Sequence, residues 1–216
     1  MPITIIIIGF CIYIAFRLSQ LRKIETEDDQ KFWNREREAN FTPKRDISNL
    51  SYITIPLNKF PSDYIDKEEE ITKKELEELS EKRILNLDSM SNTDLKVSFG
   101  FANLNIMEEI GENYVKMCKY LIKLAEKRIE ASDYEGAIKY LEFGVGTKSD
   151  MSQMYTLLGE CYAKLGKNHK ISDLIQLVQS MNLPLEKSII SSLTSHLSNL
   201  EMDIPNEEDT PRTLDA

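Results

Sequence analysis

The feature that most limits what this chain can fold into is an internal repeat with a period of about 34 residues. Four positions recur at this spacing: Leu121, Leu124, Ala125 and Ser132 are followed by Tyr155, Leu158, Gly159 and Gly166. Repeats of this length pack as helical hairpins, because a single hairpin cannot bury its apolar face alone. The repeat therefore predicts an all-α domain, and two copies require additional helices at both ends.

The two copies resemble tetratricopeptide repeats (TPRs) over residues 120–182. The second copy matches the TPR pattern for a first helix, at Tyr155, Leu158, Gly159 and Tyr162. The first copy matches the pattern for the start of a second helix, at Asp133, Tyr134, Gly136 and Ala137. Small residues let paired helices approach closely, and larger ones fill the space between them. The pattern has three departures: Arg128 replaces a tyrosine, Ile171 replaces a small residue and Pro184 falls one position late.

The TPR resemblance implies a groove that is lined by the first helices and holds a peptide or a helix of a partner protein. Six residues occupy the positions that face this groove in the TPR pattern and are the candidates for partner binding: Ile122, Glu126 and Ile129 in the first copy and Thr156, Glu160 and Ala163 in the second. TPRs that bind a chain terminus have Lys and Asn at such positions. Because Glu126 and Glu160 stand here, we expect a basic or apolar partner. The alternative is that both glutamates are simply solvated.

The N-terminal segment predicts a transmembrane anchor over residues 1–18. Residues 2–16 carry no charge, and a helix over 1–18 would be about 27 Å long, close to the thickness of the hydrocarbon core. The cations follow the apolar run, unlike those of a cleavable signal; they are Arg17, Arg22, Lys23 and Lys31. The positive-inside rule predicts a single-pass membrane protein with its N-terminus outside and its C-terminal domain in the cytosol.

Composition and charge patterning divide the rest of the chain into five segments. They are a charged helical stalk (19–40), an extended proline-containing segment (41–65), an acidic helix (66–90), a TPR-like domain with capping helices (91–200) and a disordered acidic tail (201–216). Residues 51–55 alternate polar and apolar as a strand would. Segment 41–65 is either a linker laid across the helical domain or a docking segment that a partner recognises.

The sequence gives little sign of catalysis or of ligand chemistry. The net charge of −9 argues against a nucleic-acid partner. His169 and His196 have no second ligand at helical spacing, and Cys118 and Cys161 lie among apolar neighbours where cysteine is usually a small core residue. No nucleotide-binding, hydrolase or zinc motif occurs in the sequence. We therefore expect no enzyme, no catalytic residue, no cofactor, no metal and no small-molecule substrate.

These features together predict a membrane-tethered, cytosol-facing adaptor that binds another protein through a TPR-like groove. An alternative from another class is an accessory subunit of a membrane complex, in which the repeats act as a rigid spacer. The order of anchor, stalk, Ile-Pro segment and repeats also resembles that of small uncharacterised bacterial membrane-anchored proteins. That resemblance implies a layout and no activity.

Overall fold

The computed structural model describes residues 2–202, with the side chains of 2–6, 9, 11, 19–27 and 198–202 left undescribed. Eight α-helices follow one another: α1 (Pro2–Asn40), α2 (Lys67–Ser80), α3 (Asn92–Phe99), α4 (Leu104–Glu130), α5 (Tyr134–Gly146), α6 (Ser152–Lys164), α7 (Asn168–Met181) and α8 (Glu186–Met202). Short 3-10 turns occur at Leu57–Lys59 and Phe101–Asn103, and residues 2–202 contain no strand. The prediction of an all-α chain is confirmed for this part of the sequence.

The predicted anchor and stalk form one helix, α1, which begins at Pro2 and ends at Asn40. Across the described residues, the structure contains no helix with a stretch long and apolar enough to cross a membrane. Within the anchor predicted over 1–18, residue 1 and the side chains of 2–6, 9 and 11 lie outside the described part. The predicted tail lies outside it from residue 203 onward.

The described chain divides into two compact units. The first contains the residues up to Leu50 together with Ser89–Glu108, and the second contains Ser51–Asp88 and the chain from Glu109 onward. The predicted segment 41–65 and the predicted TPR-like domain over 91–200 are therefore each divided between the two units. The helix α4 begins in the first unit and continues in the second.

Polar contacts between the C-terminal part of α1 and the helix α3 organise the first unit. The Glu36 carboxylate accepts a hydrogen bond from Thr93 Oγ1 (2.6 Å) and forms an ion pair with Lys96. These contacts, the hydrogen bond from Lys96 foremost, lower the pKa of Glu36. Ser91 caps α3 through a reciprocal capping box with Asp94, which fixes where this helix begins.

The period of the sequence repeat is also the period of the second unit's helices. The helices α4 and α6 end one repeat period apart, at Glu130 and Lys164, and α5 and α7 begin one period apart, at Tyr134 and Asn168. The left-handed backbone positions repeat in the same way: φ is 62° at Ser132 and 67° at Gly166, and 61° at Lys148 and 56° at Asn182. The chain therefore forms two structurally equivalent helical hairpins, α4–α5 and α6–α7.

A segment that we call the strap, residues 51–65, packs on the first of these hairpins. Its buried side chains Ile55 and Phe60 belong to the core of the second unit. The Phe60 ring lies 4.6 Å from the Tyr140 ring and 5.8 Å from the Phe143 ring, both on α5. The backbone N–H of Ile53 donates a hydrogen bond to the carbonyl oxygen of Ile84 (2.8 Å), but no strand forms there.

The acidic helix is shorter than the sequence predicts. We expected it over 66–90, whereas α2 begins after its N-cap Asp66 and ends at Ser80. Beyond it, Ile84 and Leu87 are buried at 0% and 8% exposure in a segment without helical structure. The reason is that a solvated helix rich in acids would leave these two apolar side chains only partly covered, while the irregular segment buries both.

Candidate functional site

The first helices of the two hairpins, α4 and α6, are joined by a polar contact at the position where the resemblance implies a groove. The side chain of Gln153 on α6 donates a hydrogen bond to Glu126 Oε1 on α4, with a donor–acceptor distance of 2.6 Å. The Thr156 hydroxyl donates to the backbone oxygen of Gln153 (3.1 Å). Glu126, Thr156 and Glu160 are each half-buried. We call the surface that contains these three residues the first-helix face.

The three apolar candidates pack against the core of the second unit. Ile122 is 7% exposed and is itself a core residue, while Ile129 and Ala163 are partly buried against that core. Their side chains stabilise the packing of the hairpins. Any contact with a partner at this surface would therefore depend mainly on Glu126, Thr156 and Glu160.

The last helix, α8, occupies the position that the first helix of a third repeat would have. It begins at Glu186, one repeat period after α6 begins at Ser152. Gly159 on α6 lies so close to α8 that a Cβ there would clash with the Leu193 side chain. Ile189 and Leu193 on α8 are almost completely buried. This helix thus covers the apolar side of the second hairpin, at the place where the sequence predicts a C-terminal capping helix.

A second concave surface lies between α5, α6 and α7. It is a cleft of about 260 Å³, and its lining consists of Glu142, Val145, Gly146, Leu158, Tyr162, Lys170, Asp173, Leu174 and Leu177. The Tyr162 hydroxyl donates a hydrogen bond to Glu142 Oε1 (2.6 Å), and Lys170 Nζ lies 3.8 Å from the same oxygen. The cleft therefore has apolar walls and a charged rim, on which Glu142 pairs with Lys170 and Asp173 is a further acid. Sequence reasoning did not identify it.

Arg128, which is 2% exposed, contacts three carboxylates, of which only that of Glu69 is buried. Its Nε lies 2.5 Å from Glu69 Oε1 on α2, and Glu69 is fully buried. One terminal nitrogen contacts Asp63 Oδ2 (3.0 Å) and Asp133 Oδ2 (2.9 Å), and the other donates to the Asp63 backbone oxygen (2.6 Å). Burial opposes the charge of Arg128, but the three carboxylates together raise its pKa. Every guanidinium nitrogen has a partner within the protein, so this cluster is structural.

Among the residues whose side chains the structure describes, the groups with catalytic or metal-binding chemistry do not converge. Cys118 and Cys161 are fully buried, and burial raises the pKa of their thiols to about 11 and about 12, which makes both weak nucleophiles at neutral pH. The prediction that they are core residues is confirmed. Within residues 2–202, as far as side chains are described, no three His, Cys, Asp or Glu residues are arranged to hold a metal ion.

Comparison with known proteins adds no relative to these observations. No family model matches the chain, and neither a curated protein nor a solved structure is significantly similar to it. The geometry of the first-helix face and of the cleft is therefore the basis for assigning a function.

Proposed function

We propose that this protein is a membrane-tethered adaptor that binds a segment of another protein on its first-helix face. The observation that carries the proposal is the regular repetition of two helical hairpins, which gives α4 and α6 equivalent positions. Surfaces built from repeated hairpins are extended and concave, and proteins of this architecture commonly bind peptides or helices. The buried thiols and the scattered histidines favour binding over catalysis.

The charge of the face favours a basic or apolar partner segment. Glu126 and Glu160 lie on successive first helices, and the chain has a net charge of −9. Like charges across an interface reduce affinity, so an acidic segment would be disfavoured. Ile122, Ile129 and Ala163 would support the face from below instead of contacting the partner.

Reversing the two charges tests this proposal. We expect the double variant Glu126→Lys/Glu160→Lys to crosslink at least about tenfold less of any protein that the wild-type chain captures in native membranes, because two attractive contacts become repulsive. The measurement is quantitative mass spectrometry of the crosslinked material. The matched control is Glu75→Lys/Glu78→Lys, which changes the net charge equally at two exposed positions on α2.

Both double variants should keep the helical circular-dichroism signal and the melting temperature of the wild type. Unchanged crosslinking of the same partner to the Glu126→Lys/Glu160→Lys variant would show that the partner does not bind at the first-helix face. Equal losses in both double variants would show a general charge effect and would contradict a specific face.

The membrane tether is the second part of the proposal, and it rests on the uncharged run of residues 2–16. A tether raises the effective concentration for membrane partners, so a weak binding face would suffice. We expect the full chain to stay in the pellet after alkaline extraction of membranes and a variant without residues 1–18 to become extractable. Extraction of the full chain into the supernatant would contradict the tether.

An accessory subunit with the repeats as a rigid spacer is the second candidate. Its support is the inward packing of Ile122, Ile129 and Ala163, since a spacer requires a well-packed stack and no open groove. Exchanging residues 1–18 for an unrelated transmembrane helix separates the two candidates. An adaptor keeps its crosslinked partner after the exchange, whereas a subunit that is recognised through its anchor loses it.

A further inference from the structure

The cleft between α5, α6 and α7 is the second copy of a site that the chain itself fills in the first copy. In the first copy, the strap inserts Phe60 against Tyr140 and Phe143 of α5, and Phe60 is only 6% exposed. The backbone is extended at Phe60, with φ −81° and ψ 158°. In the first copy, the side chain that covers Tyr140 and Phe143 is thus Phe60, an extended residue that directly follows the 3-10 turn Leu57–Lys59.

The repeat period identifies the equivalent surface in the second hairpin. Tyr140 and Phe143 correspond to Leu174 and Leu177 on α7, and both leucines line the cleft. Leu177 is 40% exposed, whereas Phe143, covered in part by Phe60, is partly buried. The strap thus covers the first copy. In the second copy, Leu177 is the exposed apolar side chain of the cleft, while Val145, Leu158 and Leu174 are buried in its lining, at 6%, 2% and 5% exposure.

The residues that the first helix of each hairpin contributes to this site also correspond between the two copies. Leu124 and Arg128 on α4 become Leu158 and Tyr162 on α6. Arg128 holds the strap through Asp63, while Tyr162 donates its hydroxyl hydrogen to Glu142 and so completes a neutral wall. The charged groups at the rim of the cleft are Glu142, Lys170 and Asp173. Glu142 pairs with Lys170, and Asp173 adds one acidic group at the rim, so we expect the apolar walls to contribute most to the selection of a ligand.

We propose that the cleft is a second docking site, separate from the first-helix face, for an extended segment of a partner protein that inserts one phenylalanine or large aliphatic side chain. The argument for this occupant is the strap, which occupies the equivalent surface of the same molecule in that way. A volume of about 260 Å³ accommodates a single side chain of this size together with some flanking backbone.

The strap sequence itself supplies a probe for this site. A synthetic peptide with the sequence of residues 51–66 is titrated into the full chain, up to about 1 mM to cover weak binding, and the methyl NMR signals of Val145, Leu158, Leu174 and Leu177 are followed. We expect saturable shifts of these methyl signals. A peptide with Phe60→Ser should bind at least about tenfold more weakly, because burial of the ring supplies most of the affinity.

A matched pair of protein variants locates the site. Leu177→Asp should weaken binding of the peptide at least about tenfold, while Leu185→Asp, at another exposed leucine of the same unit, should leave the affinity unchanged. Both leucines are on the surface, at 40% and 57% exposure, so neither variant should unfold the protein. The melting temperature of each variant checks this.

Four results of the peptide titration would overturn the proposal. They are the absence of shifts at the highest peptide concentration, equal binding of the Phe60→Ser peptide, methyl shifts confined to Ile55 and Leu124 that report exchange with the resident strap, and shifts only at Thr156 and Ala163 of the first-helix face. Movement of the Leu174 and Leu177 signals on deletion of residues 203–216 would assign the cleft to the chain's own tail. Movement on raising the protein concentration would assign it to a second copy, and either assignment contradicts a partner segment.

Discussion

Replacement of Arg128 by methionine should lower the free energy of unfolding by about 3–5 kcal/mol, because it leaves the buried carboxylate of Glu69 without its cation. Arg128 is 2% exposed and Glu69 is fully buried, so water cannot replace the lost 2.5 Å contact. The same change releases Asp63, and with it the end of the strap. Chemical denaturation followed by circular dichroism measures the difference.

Two further variants separate the buried ion pair from charge in general. Lys123→Met removes a cation that pairs with Glu68 at 3.0 Å, but both side chains are about half exposed, so we expect a change of at most about 1 kcal/mol. The double variant Arg128→Met/Glu69→Met should recover a large part of the loss, since it removes both buried charges. A loss for Arg128→Met no larger than that for Lys123→Met would contradict this account.

The ion pair between Arg128 and Asp63 also predicts that the free energy of unfolding falls as the pH is lowered. The hydrogen bond from Arg128 lowers the pKa of Asp63 below its ordinary value of 3.8. A lowered pKa in the folded state contributes stability above the unfolded-state value, and that contribution is lost as the pH falls through the folded-state value. Asp63 therefore contributes to the loss of stability in acid, and this contribution should be absent in the Arg128→Met variant. The contribution is small, because the Asp63 carboxylate is exposed.

The repeat is the part of the fold that the sequence specifies most completely. Its period depends on residues close together in the chain, such as Ser132 and Gly166 at the hairpin turns, and local patterns report local structure well. The unusual Arg128 was also visible as a departure from the repeat. Its partner Glu69 was not, because the two are 59 residues apart and no periodicity connects them.

The sequence does not indicate the cleft. It predicts the strap only as one of two alternatives, a linker laid across the helical domain or a docking segment, and does not identify the side chains that make the contact. Phe60 lies after Pro56 and outside the alternating residues 51–55, so no pattern in its neighbourhood indicates that it packs on α5. The opposite error concerns Ile84 and Leu87, whose spacing suits a helical stripe. Both are buried outside any helix, and Ile84 belongs to the core of the second unit. The candidates for the groove follow from the TPR resemblance, which matches positions in the sequence but does not determine how exposed each side chain is. Ile122 is the clearest example, because it is 7% exposed and belongs to the core.

Substitution of Gly100 by alanine should cost the first unit about 2–5 kcal/mol, because two independent penalties act at this residue. Its φ of +90° is a conformation that side-chain-bearing residues rarely adopt, and a Cβ there would collide with the carbonyl oxygen of Pro43 and lie 2.8 Å from the Cα of Lys44. Both obstacles are backbone atoms, which cannot rotate away as a side chain would. The chain must therefore separate from residues 43–44 at this point.

The separation has a local signature that distinguishes it from general destabilisation. The Arg45 amide donates to the Phe99 carbonyl oxygen (3.0 Å), and the Phe101 amide donates to that of Thr42 (3.3 Å). In Gly100→Ala, hydrogen exchange of these two amides should accelerate by about two orders of magnitude or more, while the amides of α5 to α7 keep their rates.

The matched control for this substitution is Gly146→Ala at the end of α5, where a Cβ would meet no atom within 4 Å and φ is not positive. Alanine is a better helix former than glycine, so we expect stability that is unchanged or higher by up to about 1 kcal/mol. Unchanged exchange at Arg45 and Phe101 in Gly100→Ala would mean that the backbone approach at Pro43 does not hold the first unit together. Acceleration throughout both units would mean that the contact stabilises more than the first unit alone.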